Sequence, residues 1–361
     1  MGENGKKLSS NPLLADLNHI LRHTGSLWEE LRNKRVFITG GTGFFGSWLL
    51  ESFAWANDEL DLNASAVVLT RNVEAFRMKA PHLASHPAIS FQVGDVRNFA
   101  FPAGEFSFII HAATAASAKL NDEAPQEMFD TIIEGTRRVL DFAAHCKSRK
   151  LLLTSSGAIY GRQPSEMMHI PEDYSGAPDP TSPSAAYGEG KRVAELLCTL
   201  YARRYGFESK IARCFAFVGP YLPLDVHYAI GNFIRDGLLG GPIVISGDGT
   251  PYRSYLYAAD LVIWLWTILF RGESFRPYNI GSDEAVTIEA LANKISGYFE
   301  NPPQVRILQK PDPTKPIQKY IPDINRARSE LGLDIYLEID EAIRRTLLWL
   351  KAVSNFPENL K

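Results

Sequence analysis

Several functional classes are excluded by what the chain has little of. Cysteine occurs three times in 361 residues, at Cys146, Cys198 and Cys214. An odd number of widely separated thiols gives neither a disulfide framework nor the paired spacing of a zinc site, so no metal is expected and buried bystander thiols are. Basic residues form no stripe and the net charge is −3, which argues against a nucleic-acid partner. The longest apolar run, Leu261 to Phe270, is ten residues. A membrane span needs roughly 20, so this run reads as a buried helix after Asp260. Repeats and low-complexity segments are absent. The polar opening, residues 1–10, carries no signal-peptide pattern and reads as disordered, and a cytoplasmic location is expected. The remaining composition, 45% hydrophobic and 22% charged, is ordinary for a globular protein, and the length allows a large core and two lobes.

What is present begins with one stretch, Arg35-Val-Phe-Ile-Thr-Gly-Gly-Thr-Gly-Phe-Phe-Gly-Ser-Trp-Leu-Leu50. Val36 to Ile38 read as a short buried strand. Gly40, Gly43 and Gly46 follow at three-residue spacing, and Trp48, Leu49, Leu50 and Phe53 open a helical pattern. Strand, glycine turn and helix are the first half of a dinucleotide-binding unit. Gly40 allows a tight turn, Gly43 lets backbone approach a pyrophosphate, and Gly46 lets helix pack on strand. The helix N-terminus, with Phe44 and Phe45 in its first turn, turns free N–H groups toward the phosphates.

Further strands read at 66–70, 89–93, 106–110, 150–154 and 209–215, with helices at about 45–55, 72–80, 125–146 and 187–205. This alternation predicts an α/β fold: a Rossmann-type, doubly wound parallel sheet covered on both faces. Residues 1–33 form an N-terminal extension, helical over 12–32 and broken near Gly25. Residues 34–220 form the dinucleotide-binding domain. Residues 221–361 form a smaller substrate-binding lobe interleaved with the sheet, with short strands at 243–245 and 254–257 and helices at 229–239, 260–270, 287–299 and 340–352. Residues 162–186 hold five prolines and read as a long functional loop.

Tyr187-Gly-Glu-Gly-Lys191 carries the chemistry. Tyrosine and lysine four apart share a helix face. A nearby ammonium and a nicotinamide cation favour phenolate, so Tyr187 can exchange a hydroxyl proton while hydride moves. Ser156, at the end of strand 150–154, can steady the reacting oxygen. A Tyr-x-x-x-Lys alone is as readily a surface helix pair; its distance from Ser155-Ser156 and the glycine turn gives it weight.

In order, the glycine turn, Asp95-Val96, His111-Ala-Ala, Ser155-Ser-Gly-Ala-Ile-Tyr-Gly161, Tyr187/Lys191 and Arg253-Ser-Tyr-Leu-Tyr-Ala-Ala-Asp260 resemble the extended short-chain dehydrogenase/reductases. Over about 34–350 the chain looks like the NAD-dependent epimerase/dehydratase family acting on nucleotide sugars. The resemblance implies that Asp95 and Val96 contact adenine and that Ala112, Ala113 and Thr114 line the cofactor path. It also implies that Lys191 reaches the ribose, that Arg253 clamps a nucleotide-sugar diphosphate and that Asn232 contacts its phosphates. Three positions depart from the pattern. Gly157-Ala158 stands where the 4,6-dehydratases carry Asp-Glu and the glucuronate decarboxylases a Glu. Ala216 and Ile132 replace common asparagines. Strand 66–70 ends in Thr70-Arg71 where NAD enzymes place an acid, so the cofactor is NAD or NADP, with Arg71 leaning to NADP.

The expectation is hydride transfer at sugar C4, with a 4-epimerase leading, since such enzymes use only Ser/Thr, Tyr and Lys. An NADPH-dependent 4-ketosugar reductase follows. A decarboxylase or 4,6-dehydratase recruiting Glu166 or Glu172 comes third, and a non-catalytic dinucleotide sensor is the alternative outside enzymes. A homodimer is expected through helices 125–146 and 187–205, with Met128, Val139, Leu197 and Leu200 at the interface.

Overall fold

A computed structural model describes residues 11–114, 118–225 and 228–353. The polar segment 1–10 lies outside the described residues. Six strands, β1 (Arg35–Thr39), β2 (Ser65–Thr70), β3 (Ile89–Val93), β4 (Phe108–His111), β5 (Lys150–Ser156) and β6 (Glu208–Cys214), join a late strand, Pro277–Ile280, in one sheet. The order across it is Pro277–Ile280, β6, β5, β4, β1, β2, β3, and each neighbouring pair is parallel. The fourth strand begins at Phe108, two residues later than the apolar run suggested, and reaches His111.

Parallel strands need helical crossovers, and both sheet faces are therefore covered. In β1, Val36 and Ile38 join the core on one face while Phe37 joins Phe99, Phe106 and Phe142 on the other. This is the two-residue period of a strand buried on both sides. β1 leads outward to β2 and β3; the chain then returns to the opposite flank of β1 with β4, β5 and β6. The reversal between β1 and β4 opens a crevice at their carboxyl ends, where such sheets bind ligands.

The helix Ala258–Arg271 is apolar all round because it is buried all round: every residue from Ala258 to Phe270 is inside. It packs between the sheet and the N-terminal helix Leu14–Thr24. That arm breaks at Gly25 into a 3-10 stretch, Gly25–Leu31, and Trp28 packs at 4.7 Å, tilted by 55°, on Trp266. Buried Asp16 accepts from the Tyr257 hydroxyl at 2.8 Å and pairs with Arg345. The extension is thus fixed to the last helix, Ile339–Val353, rather than standing off.

Beyond β6, the helix Ala229–Leu238 precedes strand Ile243–Ile245, which pairs with Val305–Ile307. Tyr252–Arg253 lies between Val286–Thr287 and Lys319–Tyr320; the expected single strand 254–257 is instead Leu256–Tyr257, paired with Phe217–Val218. The proline-rich loop is tied to this region. Gln163 accepts from Ile321 N at 3.0 Å and donates to Met168 O at 2.8 Å, and Ile170 bridges Pro322.

The helices Pro125–His145 and Ala186–Tyr205 pack side by side. Met128, Val139 and Leu197 are buried within that packing against the sheet, so they are not free to form an interface. Leu200 remains 54% exposed, and Leu196, one turn before it, 57%.

Candidate active site

The glycine turn closes on itself and on β4. Gly40 has φ +71°, and a Cβ there would meet the Ala112 carbonyl carbon at 2.5 Å. Gly46 is packed harder: its Cβ would lie 2.3 Å from Gly40 O and the Gly41 backbone. Gly43 differs, since the nearest atom to its Cβ would be Gly40 O at 3.3 Å. Gly43 caps the helix Phe44–Glu59, and no side chain caps that helix. Its first amides are therefore left for an outside acceptor, the arrangement a pyrophosphate requires. Phe45 packs edge-on to Phe217 at 5.1 Å and tilts on Phe44 at 5.8 Å. Lys79, which the sequence does not signal, donates to Thr42 O at 3.0 Å and adds positive charge beside the turn. Burial lowers its pKa to about 8.

At the ends of β1 and β4 a satisfied network sets the backbone. Ala112 N donates to Thr39 O at 3.1 Å and Ala113 N to Thr39 Oγ1 at 3.1 Å. His111 lies between Thr39 Oγ1, 2.7 Å from Nδ1, and Thr136 Oγ1, 3.1 Å from Nε2. Burial first, then the Lys191 charge, lowers its pKa to about 3, so the ring is neutral and structural. Thr114 accepts from Lys191 Nζ at 2.6 Å.

Lys191 is 3% exposed and also donates to Thr154 O at 2.8 Å. Burial lowers its pKa to about 8. Its Nζ stands 5.9 Å from the Tyr187 ring centre. Tyr187 is half-buried, and its N–H donates to Asn121 Oδ1 at 3.1 Å. Burial pushes its phenol well above the ordinary range, against a smaller lowering by the Ser156 hydroxyl. The protein alone therefore holds Tyr187 protonated, contrary to the expected depression by Lys191, because burial outweighs the other influences on the phenol. Ser156 Oγ accepts from Ala158 N at 3.1 Å, which leaves its own O–H available to donate. Its neighbour Ser155 points the other way, donating to Glu195 at 2.5 Å. Glu195 is in turn paired with Arg213 at 2.8 Å. Period-two alternation at the end of β5 thus selects Ser156 for the site.

Asp95 is gripped by Arg97, at 2.9 Å to Nε and 3.2 Å to Nη2. That hydrogen bonding holds its carboxyl below the usual range, with Arg71 a minor contributor. Arg71 itself is exposed just past β2. Val96 packs against the helix at Gly135, whose Cβ would meet it at 2.9 Å. Arg253 lies across the crevice; its guanidinium donates to Tyr252 O at 2.8 Å and has no carboxylate partner among the described residues. Burial lowers its pKa, and a desolvated unpaired cation of this kind calls for an anion. Asn232 accepts from Arg235 at 3.5 Å on the helix Ala229–Leu238.

Gly157 leaves no room for an acid: its Cβ would lie 2.7 Å from both Phe215 Cζ and the Tyr320 hydroxyl. The two candidate replacements are elsewhere. Glu172 is buried and accepts from Asn279 N at 2.9 Å, with Arg326 at 3.7 Å. Glu166 is exposed and accepts from Ser165 at 3.2 Å. Among the described residues no cluster of His, Cys, Asp and Glu is disposed to hold a metal, and no helix is long and apolar enough to cross a membrane.

The parallel sheet and its glycine turn make a Rossmann-type fold. The NAD dependent epimerase/dehydratase family model matches residues 36–281, and the chain belongs to that family. UDP-glucuronic acid decarboxylase 1 of Danio rerio is 30% identical over 319 residues, 88% of this chain and 73% of that protein. UDP-glucuronic acid decarboxylase 2 of Arabidopsis thaliana is 31% identical, over 89% of this chain and 69% of its own. Among solved structures, the UDP-glucose 4-epimerase of Thermotoga maritima with UDP-glucose superposes with a TM-score of 0.71 at 22% identity, covering 89% of this chain and 100% of that one. A dTDP-glucose 4,6-dehydratase of Streptomyces venezuelae, solved with NAD, gives 0.74 at 24%, covering 88% and 97%. At these identities the structures establish the fold.

Proposed function

We propose that the chain oxidises and re-reduces C4 of a nucleotide-diphosphate sugar, acting as a 4-epimerase. The observation that carries this is the convergence of Ser156, Tyr187 and Lys191 at the carboxyl end of β5 with no acid at 157 or 158. Gly40, Gly43 and Gly46 would hold NAD along the turn, and it would supply a hydride acceptor and a positive ring that favours phenolate. Tyr187 takes the C4 hydroxyl proton and gives it back. Ser156, whose Oγ accepts from the Ala158 amide and whose O–H is left to donate, donates to the same oxygen. Lys191 keeps its ammonium beside Thr114, where a ribose hydroxyl can replace part of that contact. Arg253 offers its guanidinium to the diphosphate, and the family resemblance assigns Asn232 to its phosphates. Water elimination at C5–C6 needs an acid and a base, and the engagement of Glu172 and exposure of Glu166 leave neither there.

The relatives named as UDP-glucuronic acid decarboxylases favour a second reading, loss of the C5 carboxylate after the same C4 oxidation. Exposed Arg71 keeps open an NADPH-dependent reduction of a 4-keto sugar. Incubation of the purified protein with NAD and a panel of UDP- and dTDP-sugars, read by chromatography and mass spectrometry, separates these. A new isomer of unchanged mass supports the epimerase, and carbon dioxide from UDP-glucuronate the decarboxylase. Turnover only with NADPH and a keto sugar supports the reductase.

A further inference from the structure

The first turn of the helix Ala186–Tyr205 is weak by its own sequence. Ala185 precedes it and offers no side-chain acceptor to its free amides. Gly188 and Gly190, poor helix formers, fall between Tyr187 and Lys191. Close packing favours glycine at both places. A Cβ at 188 would meet Ala158 O and Pro178 Cγ at 2.7 Å, and one at 190 would press on Ile132 Cδ1 at 3.1 Å. Lys191 is anchored one turn further in, at Thr114 Oγ1 and Thr154 O. Tyr187 is the second residue of the helix, so its amide has no acceptor within that helix. The amide is met from 66 residues away: Asn121 Oδ1 accepts from it at 3.1 Å. The same side chain donates through Nδ2 to Ser184 O at 3.2 Å. The two bonds together fix which way the Asn121 amide faces and tie it to the helix and to the turn before it.

We propose that Asn121 is a positioning residue for Tyr187, a cap supplied by a different element that holds the first turn of the catalytic helix in the site. This rests on the nucleotide-sugar reading above. Asn121 lies on the short helix Ala118–Glu123, in the connection from β4 to the helix Pro125–His145. Thr114, which takes the Lys191 ammonium, lies near the start of the same connection. One connection thus holds both members of the pair, the lysine by its ammonium and the tyrosine by its main chain. The phenol oxygen of Tyr187 stands at the end of a long side chain, so a small shift of the backbone carries it away from the reacting hydroxyl. Loss of the cap therefore acts on proton transfer and leaves the Lys191 anchor as it was.

Asn121→Ala removes both bonds. Melting temperature and NAD affinity are expected to change little, while kcat falls roughly 10- to 100-fold with a smaller change in KM. Asn121→Asp keeps the acceptor, and its charge suits a helix N-terminus. Ser184 is exposed, so water takes up the lost donor there. Asn121→Asp should therefore restore most of kcat. Full kcat in Asn121→Ala, an Asn121→Asp as slow as Asn121→Ala, or a fall in kcat matched by an equal loss of NAD affinity overturns the proposal. A second measurement needs no sugar. NAD should move the ionisation of Tyr187 to lower pH, read by NMR of tyrosine labelled with carbon-13 at the ring ζ carbon, with Tyr187→Phe assigning the resonance. In Asn121→Ala that NAD-dependent movement should shrink, and an unchanged one overturns the cap's role. Wild-type protein that turns over no nucleotide sugar removes the substrate reading alone, since the NMR comparison still decides whether Asn121 holds Tyr187 against the cofactor.

Discussion

Tyr187, Ser156 and Lys191 differ in what each substitution should remove. Tyr187→Phe deletes the proton-carrying atom and keeps the ring's packing, so melting should change little. Turnover of a nucleotide sugar should fall about 10²–10⁴-fold, the usual worth of a positioned acid or base. Ser156→Ala should cost less, because the base remains. Full activity in Tyr187→Phe would remove the mechanism. Lys191 gives a pH test with a definite sign. Its folded pKa is lowered to about 8 by burial, below the unfolded value near 10.4. The folded state therefore sheds its proton first. The charged lysine's cost to stability is full below pH 8 and fades as pH rises toward about 10.4. Activity runs the other way, because the ammonium is lost above about 8, so NAD affinity in the wild type should fall there. Lys191→Met should bind NAD weakly at all pH values, and an alkaline limb that persists in it would show another group at work. The Tyr-x-x-x-Lys spacing made this pair legible, because i and i+4 share a helix face wherever the helix lies. The phenol's neutrality was not legible, since it follows from burial.

The glycine turn shows how far one element can be read. Three glycines look alike in sequence, yet their surroundings assign them different work. Gly46→Ala puts a methyl 2.3 Å from backbone that cannot move without opening β1 from its helix, and a loss of about 3 kcal/mol or more is expected. Gly43→Ala meets only Gly40 O at 3.3 Å, so the variant should fold and instead lose NAD affinity. Thermal denaturation and cofactor titration of both variants test the division. Equal melting losses would show that Gly43, too, is a packing glycine. Strands β1, β2 and β5 were legible because buried parallel strands are short continuous apolar runs. The region 252–257 was not, because two two-residue strands take different partners, and pairing is a tertiary choice.

For the whole molecule, we propose a homodimer through the exposed row Leu196 and Leu200 on the helix Ala186–Tyr205. Leu196→Asp with Leu200→Asp should leave a folded monomer by sedimentation, and a wild type that is monomeric at micromolar concentration would count against the pairing. The N-terminal arm makes a separate expectation. Removing residues 1–33 uncovers Trp266 and strips Tyr257 and Arg345 of Asp16, so the shortened chain should melt markedly lower; an unchanged melting temperature would make the arm an accessory. The sequence by itself determined the order of the sheet strands and their helices, the glycine turn, and the places of Ser156 at the end of β5 and of Tyr187 and Lys191 one turn apart on their helix, because each depends on local spacing along one element. Only the tertiary structure decided which apolar helix positions were already spent in the core, how Asp95 is held by Arg97, and that Tyr320 stands against Gly157. Those contacts join residues far apart in the chain, and nothing local in a sequence records which distant side chain will fill a given space.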